Sequence, residues 1–346
     1  YIGTDINGTL DRGNNRWGMA VVDDADNNHI GGITAAERNV ISGNDQLGVL
    51  IMTGSDGNTV EGNYVGTDVT GTVALANTLG VQVEHSSNTI SNNLISGNTG
   101  DGVLITGANA INNTVHGNYI GTDYTGSLSL PNGSRGIAIE SSAFSNMIGG
   151  TNATLRNVIS SNTEDGIFIG VATGNTIRGN YIGLNASGVA VLGNGDNGVE
   201  IQNSSNSILD NAISGNSRNG ILLISSTATN NIVQGNYIGT DALGVAALGN
   251  GDNGVEIQNT SNSILDNTIS GNSRNGILLS SSTATNNIVQ GNYIGTNASG
   301  ISALGNIGFG IHINTASNNI VGGTSATARN IISGNGNDGI NISGVS

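Results

Sequence analysis

A glycine followed by two aliphatic residues at alternate positions recurs along this chain, and its spacing limits what the chain can become. The pattern reads Gly48-Val49-Leu50-Ile51, Gly80-Val81-Gln82-Val83 and Gly102-Val103-Leu104-Ile105. It starts again at Gly136, Gly166, Gly198, Gly220, Gly254, Gly276, Gly310 and Gly339, with a weaker first copy at Gly18, which makes twelve starts. Alternation with a period of two is the mark of a strand. The shortest interval between starts is 22 residues, and the others, 29 to 34, are that unit lengthened by insertions. Repeats of this length belong to arrays in which each unit buries its apolar face against its neighbours. The intervals 30, 32, 22 and 34 occur twice in succession, so a unit of 118 residues is duplicated, and residues 194–250 are copied again as 250–306.

A second pattern fixes the corners. Every complete coil contains Asn-x-Ile, with Val once, at Asn39, Asn63, Asn93, Asn118, Asn157, Asn180, Asn211, Asn236, Asn267, Asn292 and Asn330. Asparagines in register at a turn can bond amide to amide from coil to coil, while the aliphatic two residues on turns inward and stacks. Two insertions account for the longer coils. One follows Tyr-Ile-Gly-Thr, as in Asp241-Ala242-Leu243-Gly244, and the other is Gly-Gly-x-x-Ala-x-x-Arg-Asn at 31–39, 149–157 and 322–330. Short strands, Gly and Asn corners and no helical period predict an all-β single-stranded parallel β-helix of about twelve coils. It is expected to be one continuous domain over residues 1–346, roughly 55–60 Å long at about 4.8 Å per coil.

These motifs resemble those of the right-handed parallel β-helix repeat proteins over essentially the whole chain. The Ile-Gly-Thr-Asp-x-x-Gly insertion at 120–126 and 238–244 is similar to repeats of large bacterial cell-surface proteins. The resemblance implies the right hand and an extracellular or cell-surface location. Composition narrows the partners. The net charge is −15 and every basic residue is Arg, a surface that repels phosphate backbones and so disfavours nucleic acid. No run of 18 apolar residues spans a membrane, and no Cys supplies a disulfide or thiolate site. The chain starts inside a repeat without Met, as a piece of a longer protein would.

The fold alone decides no chemistry, because the families it resembles include pectate lyases, polygalacturonases, alginate epimerases and phage tailspikes. Of the polygalacturonase-type motifs only an Asp pair, Asp23-Asp24, is present. The epimerase-type Asp-Pro-His is ruled out, since the one proline, Pro131, precedes Asn132. With no Lys, a lyase would need an arginine base, and Arg178, His116 and Glu61 are the unrepeated catalytic candidates on one expected face. The arginines repeated in loops, Arg38, Arg156 and Arg329 and also Arg218 and Arg274, are expected on loop carbonyls. Glu200 and Glu256, two coils or about 9.6 Å apart, read as a duplicated solvated face.

Two further sets stay open. Tyr64, Tyr119, Tyr181, Tyr237 and Tyr293 recur on alternate coils, about 9.6 Å apart, a spacing that suits the sugars of an extended glycan. Each also sits beside an insertion carrying Leu75, Leu130, Leu192, Leu248 or Leu304, and packing is the commoner role of such an aromatic. Asp68, Asp123 and Asp241 head oxygen-rich turns that calcium could occupy, although no cofactor is expected. Asn185 and Asn297 replace the acid in two copies, which favours a turn that bonds its own backbone. The expected function is an extracellular structural or adhesive solenoid, a rigid spacer or a glycan-binding surface module without catalysis. Its partner would be a polysaccharide or another cell-surface component. The alternatives are a lyase or hydrolase acting on an acidic glycan, and a fibre subunit that stacks end to end.

Overall fold

The glycine-aliphatic segments form strands in which alternate side chains vanish from solvent. In Val103–Thr106, Val103 and Ile105 are fully buried while Leu104 and Thr106 are half-exposed. A computed structural model describes residues 1–344, which fall into two compact units, 1–175 and 176–344.

In the first unit a sheet of six parallel strands runs Met19–Val21, Leu47–Ile51, Leu79–Val83, Val103–Thr106, Ile137–Glu140 and Ile167–Ile169. The register stacks like on like, with Val49, Val81, Val103, Ile137 and Ile167 in one column. A second sheet comprises His29–Gly31, Thr59–Glu61, Thr89–Ser91, Thr114–His116 and Met147–Gly149. The third uses two-residue strands: Val40–Ile41, Tyr64–Val65, Leu94–Ile95, Tyr119–Ile120 and Val158–Ile159. The second unit repeats the plan. Six strands from Val199–Ile201 to Ile340–Ser343 form its first sheet, six from Thr176–Arg178 to Ile320–Val321 its second, and six from Tyr181–Ile182 to Ile331–Ile332 its third. Each unit is thus a three-sided parallel β-helix, one strand per side per coil. Among the described residues no helix is long and apolar enough to cross a membrane.

The expected amide ladder is present. In the first unit Asn39 donates to Asn63, Asn63 to Asn93, Asn93 to Asn118 and Asn118 to Asn157, each Nδ2 to Oδ1 at 2.9–3.2 Å. In the second, Asn180, Asn211, Asn236, Asn267, Asn292 and Asn330 form the same chain at 2.9–3.0 Å. Two further ladders occupy the other corners. Asn28, Asn58, Asn88, Asn113, Asn146 and Asn175 form one in the first unit, and Asn44, Asn77, Asn98, Asn132 and Asn162 the other. In the bare coil the three corners are Asn88, Asn93 and Asn98, five residues apart. Each amide also closes the backbone: Asn93 Nδ2 bonds the Val60 carbonyl at 2.9 Å and its Oδ1 accepts the Asn63 amide at 2.9 Å. The buried corner amides are therefore satisfied, as an interior requires.

The strand-starting glycine has a packing cause. A Cβ on Gly102 would lie 2.7 Å from the Gly136 carbonyl oxygen and 2.9 Å from both Ile120 Cγ2 and Asn132 Nδ2. Corner amide, core isoleucine and neighbouring coil converge there. Inside, Ile41, Val65, Ile95, Ile120 and Ile159 stack with no exposure. Part of the outward column of the first sheet is covered as well. Leu50 is 2 % exposed, and Phe168 lies beneath Arg135, whose guanidinium carbon is 3.8 Å from the ring centroid.

Candidate functional site

The residue between the corner Asn and the core aliphatic points away from the coil interior, but the insertion folds back over it. In the first unit Val40, Tyr64 and Leu94 are buried together, with Val69 and Tyr119 packed against them. The element over the Tyr64 ring is the insertion glycine. A Cβ on Gly71, whose φ is +67°, would meet Tyr64 Cε2, Leu94 Cδ2 and Tyr124 Cβ, each at 2.9 Å. Gly188, Gly244 and Gly300 lie in the same way against Tyr181, Tyr237 and Tyr293 in the second unit. Each of these three rings is half-buried.

The turn beneath is held by its first residue. Asp123 accepts the amides of Ser127 and Leu128 at 3.0 Å and the Thr125 hydroxyl at 2.8 Å. Burial pushes this carboxyl up, but the Leu128, Thr125 and Ser127 bonds outweigh it and hold Asp123 below its ordinary value. Asp68 and Asp241 bond their turns alike, Asp68 to Thr70, Thr72 and Val73 and Asp241 to Val245 and Ala246. Asn297 makes the same bonds to Ile301 and Ser302, so an amide replaces the acid without loss of the turn. Among the described residues no three His, Cys, Asp or Glu side chains gather as a metal site would require.

One turn carries an extra ring. At the position after the turn acid the chain has Val69, Ala186, Ala242 and Ala298, but also Tyr124. Tyr124 is 51 % exposed, and its amide bonds the Gly71 carbonyl of the previous insertion at 3.1 Å. With Arg38, Tyr64, Asn92, Leu94 and Tyr119 it lines a cleft of about 320 Å³. Register places Leu94 between Tyr64 and Tyr119, so the two tyrosines are about 9.6 Å apart along the sheet. Arg38 comes from the Gly-Gly insertion. Its Nε bonds the Gly62 carbonyl at 3.3 Å, as expected of a loop arginine, and its guanidinium lies 4.1 Å from the Tyr64 ring centroid. Burial raises the Tyr64 hydroxyl, with the Arg38 charge acting in the opposite sense.

Two of the three catalytic candidates border this cleft. Glu61, Ser91 and His116 occupy one register column of the second sheet. Glu61 Oε2 and His29 Nε2 are 3.1 Å apart, and Glu61 Oε1 accepts Asn92 Nδ2 at 3.0 Å, so Asn92 joins the column to the cleft wall. His116 precedes Gly117, also at the cleft, and its buried Nδ1 has no bonding partner. Burial lowers the His116 pKa, and the Glu61 charge pulls the other way. Arg178 belongs to the second unit, where Nε and Nη2 grip Asp210 Oδ2 at 2.9 and 2.8 Å. Arg218 and Arg274, expected on loop carbonyls, pair instead with Asp196 and Asp252 at 3.2 Å. Glu200 and Glu256 bond Gln202 and Gln258. Tyr124 escaped the sequence reading. Its signal was there, a lone aromatic at a position that is otherwise aliphatic.

Residues 72–197 and 185–346 match the profile of the family described as right handed beta helix region. No curated protein matches the sequence. Among solved structures the chain is similar to the Dettilon tailspike protein at 17 % identity and a TM-score of 0.59, covering 94 % of this chain and 61 % of that one. The chain therefore spans about three fifths of the tailspike's length. It is also similar to a periplasmic alginate epimerase, AlgG, at 14 % identity and a TM-score of 0.46, covering 89 % of this chain and 70 % of that one. A third similarity is to PfbA, a surface adhesin of Streptococcus pneumoniae, at 14 % identity and a TM-score of 0.29, over 88 % of this chain and 80 % of that one.

Proposed function

The chain belongs to the right-handed β-helix family, and from that premise we propose that it is a non-catalytic extracellular module that binds glycans through the tyrosine-lined cleft of its first unit. The observation that carries this reading is the cleft itself. Three tyrosines, an arginine and an asparagine surround a volume that fits one or two sugar rings. Aromatic faces offer the apolar contact that the C–H faces of sugars seek, and a few placed polar groups set orientation. Two of the three catalytic candidates are engaged in holding the scaffold, Arg178 by Asp210 and Glu61 by His29 and Asn92, while His116 keeps a buried, unpartnered Nδ1. The chain's similarity to the tailspike supports the fold on which such a site is mounted, and the surface location follows the sequence resemblance.

The test is titration calorimetry of the full chain against neutral and acidic oligosaccharides, paired with an assay for new reducing ends and unsaturated products. Binding without turnover is expected, with Tyr124→Ala weakening affinity about tenfold or more, as loss of an aromatic anchor does. Since Tyr124 is half-exposed, this variant should melt as the parent does. Cleavage or elimination that vanishes in His116→Ala or Arg178→Ala would replace this reading with a polysaccharide lyase or hydrolase.

A further inference from the structure

We propose that the cleft of the first unit selects a carboxylate-bearing sugar, with Arg38 as the group that reads the acid; this rests on the glycan-binding reading above. The chain holds 24 carboxylates against nine arginines, and several of those arginines are consumed by acids. Arg135 pairs with Glu140 at 2.7 Å, Arg178 with Asp210 at 2.8 Å, and Arg218 and Arg274 each with an aspartate at 3.2 Å. Arg38 makes no such pair among the described residues. It spends Nε on a backbone carbonyl and sets its guanidinium carbon 4.1 Å from the Tyr64 ring centroid, which holds the fork at the cleft wall. A guanidinium has five N–H donors, so most of its capacity stays open to a ligand.

The nearby acids do not compete for it. Glu61 is committed to His29 and Asn92, and Asp123 to the three donors of its own turn. The fork geometry of arginine matches a carboxylate in a bidentate way, and a neutral hydroxyl cannot reproduce that pairing. Tyr119 and Tyr124 would then hold the ring, with Tyr64 beneath Arg38 as its support, while Asn92 meets the sugar's hydroxyls. The acidic surface argues against an anionic ligand only at long range. Beyond about 8 Å salt screens such repulsion, and contacts inside the cleft are shorter than that. The shared chemistry has two sources, the uronates of plant or microbial polymers and the sialic acids of animal glycans.

Titration of the full chain with a trigalacturonate, its carboxyl-reduced neutral counterpart and sialyllactose separates these cases. The acid trisaccharide is expected to bind about tenfold or more tightly than the reduced one, the scale of one charge-assisted contact. Arg38→Gln should erase that preference, and Arg38→Lys should restore part of it, because charge remains while the fork is lost. Tyr124→Ala should weaken acid and neutral ligands alike. Preference for sialyllactose over trigalacturonate identifies the source as sialic acid, and the reverse identifies uronate. Equal affinity for acid and neutral sugars, or selectivity that survives Arg38→Gln, overturns the role of Arg38 and leaves the glycan site standing. No binding to any sugar overturns both readings. A melting curve of each variant establishes that a lost preference is not lost folding.

Discussion

In residues 176–346 the coil bearing Tyr237 and the coil bearing Tyr293 are near-copies, with Ala242 and Ala298 at the same point of their insertions. The corresponding coils of residues 1–175 have diverged. Val69 and Tyr124 stand at that point, and Glu61, Ser91 and His116 fill a column that reads Arg178, Leu209, Gln234, Leu265 and Gln290 in the second unit. Sixteen of the 24 carboxylates lie in the first unit. The corner asparagines, strand-starting glycines and inward isoleucines are the same in both. Repetition carries the fold, and the first unit, where repetition breaks, is the place to look for a site.

The strongest way to break that comparison is to attack the shared scaffold in both halves. Asn93 and Asn211 make equivalent bonds. Each Oδ1 accepts two donors from the previous corner, and each Nδ2 reaches a core strand carbonyl, Val60 at 2.9 Å or Ile177 at 3.0 Å. Alanine at either site leaves several buried groups without partners, at about 1–3 kcal/mol each, so roughly 3 kcal/mol or more is expected from both. Denaturant melts of Asn93→Ala and Asn211→Ala decide it. A large loss in one unit and none in the other would mean that the ladder is not the common support.

A smaller effect is expected where the coils approach most closely. A Cβ on Gly220 would lie 2.6 Å from Ile238 Cγ2 and 2.7 Å from the Gly254 carbonyl oxygen, the crowding already described at Gly102. Gly102→Ala and Gly220→Ala should each cost about 1–3 kcal/mol through overpacking. Equal losses sharpen the equivalence of the units. A neutral substitution at either position would show that the neighbouring coil can shift aside.

The scaffold was legible because its signals repeat. Asn-x-Ile identifies one corner in every coil, and the aliphatic after it announces the core. The other two ladders use the same residue, yet insertions put 25 positions between Asn88 and Asn113 and 34 between Asn98 and Asn132, which hides their register. Burial of the tyrosines followed from the insertion that accompanies each one. The glycine at positive φ that lies on the ring did not, because a residue without a side chain gives no apolar signal in the sequence. The cleft was out of reach for a topological reason. Arg38, Asn92 and Tyr124 are 54 and 32 positions apart and come from three coils, so only stacking brings them together. Arg38 also repeats as Arg156 and Arg329, which conceals that it shares a cleft with three tyrosines.

The smallest predicted difference is in acid, and its sign follows from protons. His116 has its pKa lowered by burial, so below about 6.5 the unfolded chain binds a proton that the folded first unit resists. Stability there falls as pH drops through 6.5 and levels off once the folded ring is protonated too. Asp56 is the opposite kind of group at lower pH. Burial pushes it up, but the His85 contact at 2.6 Å and the Ser86 bonds hold it below its ordinary 3.8. Its contribution is complete above 3.8 and disappears as pH falls through the lowered value, in step with Asp123. The first unit should therefore weaken in two stages, one beginning near pH 6.5 and one below 4. The upper stage should be under about 1 kcal/mol, because the His116 ring is only partly buried and solvent screens it. Hydrogen exchange resolved by peptide, from pH 7.5 to 5, measures it in the intact chain once rates are corrected for intrinsic chemistry. Faster opening around 114–120 is expected in the parent and should be absent in His116→Gln. An unchanged pH response in that variant would assign the acid sensitivity of the first unit to another group.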